Sequence, residues 1–399
     1  MSTGNQQNTT NLDFENTEVA FKYKTNEELK ISYLLFKAIG MNWLVRLGPG
    51  LVKFSFDFGL PVKGLIKKTV FRQFCGGESM DECEYKMKQL HSYGVGSILD
   101  YSIEGKTKQE EFDETAEEVI RTIHKSKNNP SLIPFCVFKP TGLARLELLT
   151  KVEAKETLTD AEKTEFERTK ARFEKVCRTA YENNVRIFID AEQSWIQGTL
   201  DDMITELMMK FNKERAIVYN TLQMYRHDRV DYLKRLFEHA VANNYHIGQK
   251  LVRGAYMEKE RERAEKMGYE SPICATKDDS DKSYDDGLRF CMEHLDRISI
   301  CAGTHNENSS ILLTILMAEK DVNKNDERIY FSQLLGMSDH ISFNLAHNGY
   351  NVVKYLPYGP VKAVLPYLFR RAQENTSAKG QAGRELRLIS KEVERRRIK

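Results

Sequence analysis

Residues 185–253 read VRIFIDAEQSWIQGTLDDMITELMMKFNKERAIVYNTLQMYRHDRVDYLKRLFEHAVANNYHIGQKLVR. Short runs rich in β-branched and aromatic residues alternate here with longer amphipathic, charge-rich segments. The short runs are Val185–Asp190, Ala216–Gln223 and His246–Arg253. Parallel neighbouring strands cannot be joined by tight turns, so strands separated by helical segments predict a parallel sheet.

The same alternation extends over most of the chain. Five further strand-like runs are Val95–Tyr101, Leu132–Lys139, Ile298–Thr304, Ile329–Leu334 and Val352–Pro357. Eight strand and helix units predict an α/β protein with a closed (βα)8 barrel of the TIM type rather than an open sheet. The Gly-x-Gly-x-x-Gly fingerprint of open dinucleotide-binding sheets does not occur. The Lys- and Glu-rich run 151–175 predicts one extended, solvated helix.

Composition divides the chain into four predicted parts. Residues 1–28 are expected to be a disordered tail, 29–93 a helical arm, 94–380 the barrel and 381–399 a basic helix or tail. The segment 30–72 is basic and apolar, but its apolar runs are shorter than the ~20 residues that cross a bilayer. It is interpreted as an arm packed around the barrel; the alternative is a peripheral contact with an anionic inner-membrane face.

Charge and cysteine content exclude several classes of protein. The 60 basic and 58 acidic side chains nearly balance, so nucleic acid is not an expected partner. The seven cysteines form no Cys-x-x-Cys pair and are odd in number, which favours reduced, buried thiols and no metal site. The first twenty residues resemble neither a signal nor a transit peptide, so the expected location is cytoplasmic.

Polar residues follow most of the predicted strands. The carboxyl ends of barrel strands converge on one mouth, so these side chains would share one site. Hydrogen-bonded packing is the alternative for any one of them, but a buried charge is costly unless it is paired or used. The residues are Asp100, Glu104, Lys139, Asp190, Glu192, Gln223, Lys250, Arg253, Thr304, His305, Asn306, Tyr355 and Tyr358.

The last long helix before the basic tail carries a polar face. At 100° per residue, Tyr367, Arg370, Arg371 and Glu374 share one side of it. One reading is a solvated face with a weak Arg370–Glu374 pair. The other places both guanidinium groups over the barrel mouth, where their forked donors would grip a carboxylate.

Several motifs, in one order, carry a family resemblance. They are Ile189-Asp190-Ala191-Glu192, Leu251-Val252-Arg253-Gly254-Ala255-Tyr256, Thr304-His305-Asn306, Gln333-Leu334-Leu335-Gly336-Met337, Tyr355-Leu356-Pro357-Tyr358-Gly359-Pro360 and Tyr367-Leu368-Phe369-Arg370-Arg371-Ala372-Gln373-Glu374-Asn375. With these, the chain resembles the monofunctional proline dehydrogenases from about residue 70 to its C-terminus. The fifth-strand order, Lys250 before Arg253, is similar to that of the animal-type branch; many short bacterial members have the reverse.

The resemblance implies a flavoprotein of proline catabolism. FAD would lie at the barrel mouth, below the final helix, and L-proline would stack against it. Hydride transfer to flavin N5 would give 1-pyrroline-5-carboxylate. Electrons would pass to a membrane quinone, and the product to a separate 1-pyrroline-5-carboxylate dehydrogenase.

The resemblance also assigns roles to individual residues. Asp190 and Lys250 are the expected catalytic residues. The expected substrate-binding residues are Glu104, Lys139, Leu334, Tyr355, Arg370 and Arg371. The expected cofactor-binding residues are Ala191, Gln223, Arg253, Gly254, Ala255, Tyr256, Thr304, His305, Asn306 and Glu374.

Three alternatives stay open at this stage. Relatives that prefer hydroxyproline have a serine where this chain has Tyr355, so 4-hydroxyproline is the competing substrate. Lys139 or Lys250 could instead serve as the Schiff-base amine of a lyase on the same barrel. A degenerate barrel acting as a binding module is the non-enzymatic alternative.

Overall fold

The computed structural model describes residues 12–40, 63–102, 106–377 and 381–398, and the side chains of 372–377 and 381–382 are outside the description. Eight parallel strands pair in chain order, and β8 pairs with β1 to close the barrel. The strands are β1 Val95–Tyr101, β2 Phe135–Phe138, β3 Arg186–Ile189, β4 Val218–Gln223, β5 Ile247–Val252, β6 Ile298–Gly303, β7 Ile329–Leu334 and β8 Val352–Tyr358. The predicted (βα)8 fold is therefore confirmed, with strand bounds within three residues of those expected.

Helices cover the outside of the barrel and continue beyond it at both ends of the described chain. Those before β1 are α1 Thr17–Phe21, α2 Asn26–Ile39, α3 Lys63–Ile66, a π-helical turn Lys67–Phe71, α4 Arg72–Phe74 and α5 Glu84–His91. Those between strands are α6 Gln109–Asn128, a 3-10 turn Pro140–Gly142, α7 Leu146–Glu153, α8 Asp160–Glu182, α9 Ser194–Phe211, α10 Arg229–Ala242, α11 Met257–Met267, α12 Lys277–Glu293, α13 Glu307–Glu319 and α14 Asp339–His347. After β8 come α15 Val361–Ser377 and α16 Gln381–Arg395.

Alternation along the strands fills the barrel interior with aromatic side chains. Phe135 and Phe188 stack in parallel with ring centroids 4.4 Å apart, and Tyr219 meets both rings edge-on. Their neighbours Cys136 and Ile187 point outward into the larger core beneath the helices. Successive strand side chains face opposite sides, so one continuous apolar run supplies both layers.

The second connection differs from the prediction of one long helix. It forms two helices, α7 and α8, because Thr159 starts a new helix with a reciprocal capping box to Glu162. Lys155, between the two helices, has a left-handed backbone with φ of 55°. The Lys- and Glu-rich composition predicted helix correctly but did not reveal this break.

The described terminal segments pack into a second apolar core. The predicted disorder of residues 1–28 is wrong for residues 12–28, where α1 and the start of α2 are ordered. Phe14 is buried in the main core beneath the barrel helices, Phe21 is buried in the second core, and Asn16 caps α1. Burial of these two aromatic side chains offsets part of the entropy lost in ordering the segment. Phe21 packs in one cluster with residues of α2, α15 and α16.

Part of the basic, apolar segment 30–72 lies outside the described residues, namely 41–62. In the described parts, no helix is long and apolar enough to cross a membrane. Exposed Leu34 and Leu65 have basic neighbours in sequence, including Lys37 and Lys67. The seven cysteines are all buried and free of disulfides, as the sequence predicted for reduced thiols.

Candidate active site

Three strands bring one ionic cluster together at the carboxyl ends of the barrel. Lys250 of β5 is ion-paired with Asp190, which follows β3, and donates a hydrogen bond of 2.6 Å to the Tyr355 hydroxyl of β8. The Tyr355 hydroxyl lies 3.4 Å from the Asp190 carboxylate. The Lys250 ammonium also lies over the rings of Phe188 and Tyr355, at 5.3 and 4.8 Å. An ammonium with this aromatic and anionic surround is fixed in position.

Burial keeps the Tyr355 phenol protonated. Removal from water raises the pKa of Tyr355 well above 10.0, and the nearby charge of Asp190 raises it further. The hydroxyl is therefore a neutral donor and acceptor at the mouth.

A second ion pair lies beside the first. The Lys139 ammonium donates to both carboxylate oxygens of Asp100, at 2.8 Å each, and the Ser102 hydroxyl donates to the same group at 2.7 Å. Burial tends to raise the pKa of Asp100, but the charge and hydrogen bonds of Lys139 outweigh it, so the pKa is lowered. The Asp100 carboxylate is thus held ionised, and it fixes Lys139 in turn.

Arg253 joins the ends of β5 and β6 to two helices. Its guanidinium donates to Asp281 at 2.6 Å, to the Thr304 hydroxyl at 2.8 Å and to the Ser309 hydroxyl at 3.0 Å. It also stacks on the Tyr284 ring, 4.5 Å from the centroid. Much of this group's bonding capacity is used within the protein, so Arg253 fixes the loops around the mouth besides adding positive charge.

The predicted Thr304-His305-Asn306 motif forms the start of α13. Asn306 caps the helix by accepting from the Ser309 amide, and the Thr304 hydroxyl accepts from the Asn306 amide at 3.0 Å. His305 Nδ1 lies 2.9 Å from the Ser338 hydroxyl. The motif therefore fixes one imidazole at the edge of the mouth.

His305 is surrounded by positive charge. Burial lowers its pKa most, and the charges of Lys354, Arg371 and Arg253 lower it further, to about 3. The imidazole is consequently neutral near pH 7. Arg371 of the final long helix is itself buried, so the structure brings at least one of the two predicted arginines close to the strand ends.

The remaining predicted cofactor residues give a surface that would suit a bound group. Gln223 at the end of β4 is buried, and its side-chain oxygen has no hydrogen-bond partner among the described residues. Gly254 and Ala255 are exposed after β5, and Ala191 is half-buried after β3. A Cβ at Gly254, which has φ of 136°, would come within 2.5 Å of the Tyr225 ring. An unsatisfied buried acceptor beside exposed, small-residue backbone fits a ligand that approaches the chain closely.

Other predicted residues are placed less completely. Leu334 ends β7 between the barrel interior and the terminal core, Tyr256 precedes α11, and Arg370 is half-buried on α15. Glu104 and the side chain of Glu374 lie outside the described residues. Tyr358 points away from the interior and donates to Glu118 at 2.6 Å.

The residues that hold Arg253 and His305 in place were not predicted from the sequence. Asp281 and Ser309 bind Arg253, and Ser338 binds His305. Asp281 and Ser309 lie in helices beyond the strand ends and Ser338 lies in a loop, so no regular spacing links them to the predicted residues. Ser338 directly follows the predicted Gln333–Met337 motif, which is the one cue that adjacent sequence offered.

Comparisons with known proteins identify a family. The sequence model of one protein family, described as proline dehydrogenase, matches residues 83–384. Proline dehydrogenase 1, mitochondrial, of Dictyostelium discoideum is 32% identical over 438 residues, covering 98% of this chain and 76% of that protein. The carbapenem antibiotics biosynthesis protein CarD of Pectobacterium carotovorum is 34% identical over 336 residues, covering 84% of this chain and 87% of that protein.

A solved structure shares the fold. It is proline utilization A from Bdellovibrio bacteriovorus inactivated by N-propargylglycine, with a TM-score of 0.73 and 20% sequence identity. The match covers 92% of this chain and 42% of the other, so the chain spans about two-fifths of that structure's length. At this identity the match supports the barrel architecture alone.

Proposed function

The chain belongs to the proline dehydrogenase family, and from that premise we propose that it oxidises L-proline to 1-pyrroline-5-carboxylate with FAD as its resident cofactor. The observation that carries the proposal is the Asp190–Lys250–Tyr355 cluster at the carboxyl ends of three strands. This is the end of a (βα)8 barrel where active sites are built. Family membership supports the oxidoreductase class. The cluster supplies groups that would orient the substrate and stabilise charge.

FAD fits the residues that the mouth presents. The unpaired oxygen of Gln223 and the exposed backbone at Gly254 and Ala255 would contact it, with Ala191, Tyr256, Thr304, His305, Asn306 and Glu374 as the other proposed contacts. Arg253 would add positive charge near the pyrophosphate while it holds Thr304. When bound, FAD would supply a hydride acceptor for the ring carbon beside the proline nitrogen.

The protein's own groups would orient the substrate and stabilise charge. Lys250, fixed by Asp190 and Tyr355, places a positive charge where negative charge would develop during oxidation. Arg370 and Arg371 would bind the proline carboxylate through forked donors, which fixes the ring in one orientation.

Lys139, Leu334, Tyr355 and Glu104 complete the proposed substrate site. Lys139 is held by Asp100 at the mouth, and Leu334 would pack on the proline ring. Glu104 would pair with one of the two arginines.

Electron transfer and location are further parts of the proposal. A membrane quinone would be the electron acceptor, and a separate 1-pyrroline-5-carboxylate dehydrogenase would use the product. The basic, apolar segment 30–72 would rest on an anionic membrane, consistent with exposed Leu34 and Leu65 in its described parts. The Dictyostelium relative carries "mitochondrial" in its name, whereas a cytoplasmic location with peripheral membrane contact is our proposal for this chain.

The lyase alternative finds less support. Lys139 and Lys250 each face an aspartate as an ion pair, whereas a Schiff-base amine needs to be free to attack a carbonyl. Proline oxidation uses both as fixed cations.

The test is optical. We expect the purified protein to be yellow and its visible absorbance to bleach on addition of L-proline without oxygen. An Arg370→Met/Arg371→Met variant, still yellow, serves as the control and should bleach at least about 100-fold more slowly at low proline. A colourless protein that borohydride traps on a carbonyl substrate would exclude the proposal in favour of a lyase.

A further inference from the structure

Loop 335–339, which joins β7 to α14 and includes the first residue of that helix, connects two proposed parts of the active site. Leu334 immediately before it is the proposed contact for the proline ring, and Ser338 within it holds the His305 imidazole at 2.9 Å. Gly336 in this loop has φ of 76°, and a Cβ there would come within 2.2 Å of the Gln73 carbonyl oxygen. The loop is therefore closely packed, and what surrounds it decides where Leu334 and His305 lie.

The N-terminal segment fixes one side of the loop. The Tyr23 hydroxyl donates to Asp339 at 2.7 Å, and the Tyr23 ring stacks on Phe343 with centroids 4.3 Å apart. Asp339 also pairs with the buried Lys354 ammonium at 2.9 Å, which in turn donates to the Met337 carbonyl at 2.7 Å. Asp339 is buried. Burial alone would raise its pKa, but the positive charges of Lys354 and Lys24 outweigh that effect, so the net pKa is lowered.

The C-terminal helix contacts the same loop at Ser338. The Glu385 carboxylate of α16 accepts a hydrogen bond from the Ser338 amide, and Glu385 is only 2% exposed. Ser338 is the N-cap of α14, has φ of 50° and makes no capping hydrogen bond with its own side chain. The first amides of a helix need external acceptors, and the Glu385 carboxyl group, whose pKa is raised by burial, supplies one. The Ser338 hydroxyl, which does not cap the helix, lies 2.9 Å from His305 Nδ1.

Both of these contacts come from outside the region that the family model matches. The match covers residues 83–384, while Tyr23 precedes it and Glu385 follows it. Tyr23 and Asp339 are 316 residues apart in sequence, and Ser338 and Glu385 are 47 apart. The two terminal segments thus both contact this one loop.

We propose that Tyr23 and Glu385 are positioning residues, which fix loop 335–339 and through it set the places of Leu334 and His305 at the barrel mouth. This rests on the proposed function for the roles of Leu334 and His305. Neither residue would touch the substrate; each acts through the loop.

The first experiment uses a pair of matched phenol deletions. Tyr23→Phe removes the hydrogen bond to Asp339 and keeps the ring on Phe343. Tyr93→Phe removes a hydroxyl from another ring that packs on Phe343, edge-on at 6.3 Å, but that hydroxyl points to the Lys22 carbonyl at 3.5 Å. We expect Tyr23→Phe to raise KM for L-proline about 3- to 10-fold with kcat changed less, and Tyr93→Phe to change KM by less than about 2-fold.

The second experiment reads the imidazole directly. In protein labelled with ¹⁵N-histidine, the His305 ring resonances, assigned by their loss in a His305→Asn variant, should shift in Glu385→Ala and in Ser338→Ala. Glu385→Gln keeps an acceptor of similar shape and should restore the resonance position and the KM for L-proline. Thermal melts of the same samples report whether each variant is folded.

Two outcomes would overturn the proposal. One is a Tyr23→Phe protein that melts lower but keeps the parent KM. The other is a folded Glu385→Ala protein whose His305 resonances do not move. The resonances can be recorded without turnover. If they stay in place in Glu385→Ala while the parent protein oxidises proline, this inference fails and the proposed function stands.

Discussion

At the scale of single residues, the site depends on side chains whose neighbours fix both their charge and their position. Lys250 is held by Asp190 and Tyr355, and Lys139 by Asp100. Buried ion pairs contribute little net stability because desolvation cancels much of their attraction. Their presence together at one end of the barrel therefore supports the proposed active site there.

Tyr355 offers a test of substrate choice. Its hydroxyl lies beside the Lys250–Asp190 ion pair in the proposed pocket, where it would crowd a hydroxyl on the proline ring. We expect Tyr355→Ser to lower kcat/KM for L-proline and to improve the ratio for 4-hydroxyproline over proline by about 10-fold or more. Steady-state rates with both substrates measure this, and Tyr330→Phe at the opposite end of the barrel is the control. Unaltered discrimination would place Tyr355 away from the substrate ring.

The two arginines of α15 provide a second test at this scale. Replacing Arg370 and Arg371 together by Met removes the proposed carboxylate clamp. We expect kcat/KM for L-proline to fall at least about 100-fold, mainly through KM, while the flavin content is kept. The Lys/Lys double variant should recover only part of this, because an ammonium lacks the planar fork. Retention of parent kinetics in the Met variant would refute the clamp.

At the scale of elements, the C-terminal helix is tied to the barrel by a carboxylate of α13. Glu307 accepts two hydrogen bonds from Arg384, at 2.8 and 3.0 Å, and its carboxylate lies 3.0 Å from His340 Nε2. Burial alone would raise the pKa of Glu307. The hydrogen bonds with His340 and Arg384 outweigh this effect of burial, and the net pKa is lowered from 4.5 to about 2.

This depressed pKa predicts a pH dependence of stability. A carboxyl with a lower pKa in the folded protein stabilises it above the unfolded value and loses that effect as pH falls from 4.5 towards 2. After allowance for solvent screening, we expect Glu307→Gln to be about 1 to 2 kcal/mol less stable at pH 7 and nearly equal to the parent near pH 2. Urea unfolding across this range measures it. Glu319→Gln, at the exposed end of the same helix, is the control; a constant difference at all pH values would contradict the linkage.

At the scale of the whole molecule, the described terminal helices build a core of their own against α15. Leu388 and Ile389 of α16 are buried with Phe36 of α2 and Leu368 of α15. Residues from both ends of the described chain therefore stabilise the helix that carries the two arginines.

The second core predicts a large effect from one truncated side chain. Leu388→Ala removes a fully buried side chain and should cost about 2 to 4 kcal/mol in the free energy of unfolding. Leu34→Ala on α2 removes a side chain that is 55% exposed and should cost less than about 1 kcal/mol. Chemical denaturation compares the two. Equal costs would show that α16 is not part of the cooperative fold.

Local sequence predicted the barrel but not everything around it. The strands β1 and β7 begin at their predicted residues and end at them, because short runs rich in β-branched and other apolar residues reflect burial on both faces of each strand. The polar composition of residues 12–28 predicted disorder. The segment is ordered because Phe14 and Phe21 are buried against parts of the protein that are distant in sequence. The break between α7 and α8 was missed because the charged composition is helical on both sides of it.

The sequence by itself determined the eight-fold alternation, the polar strand ends and the motif order that indicates the family. These are local patterns. Because all strands of the barrel run in the same direction, the topology alone places every carboxyl end at the same mouth. Only the tertiary structure decided that Lys250 meets Tyr355 and that Tyr23 and Glu385 both contact one loop. Such contacts join residues 47 to 316 positions apart, and their partners are selected by packing rather than by any spacing along the chain.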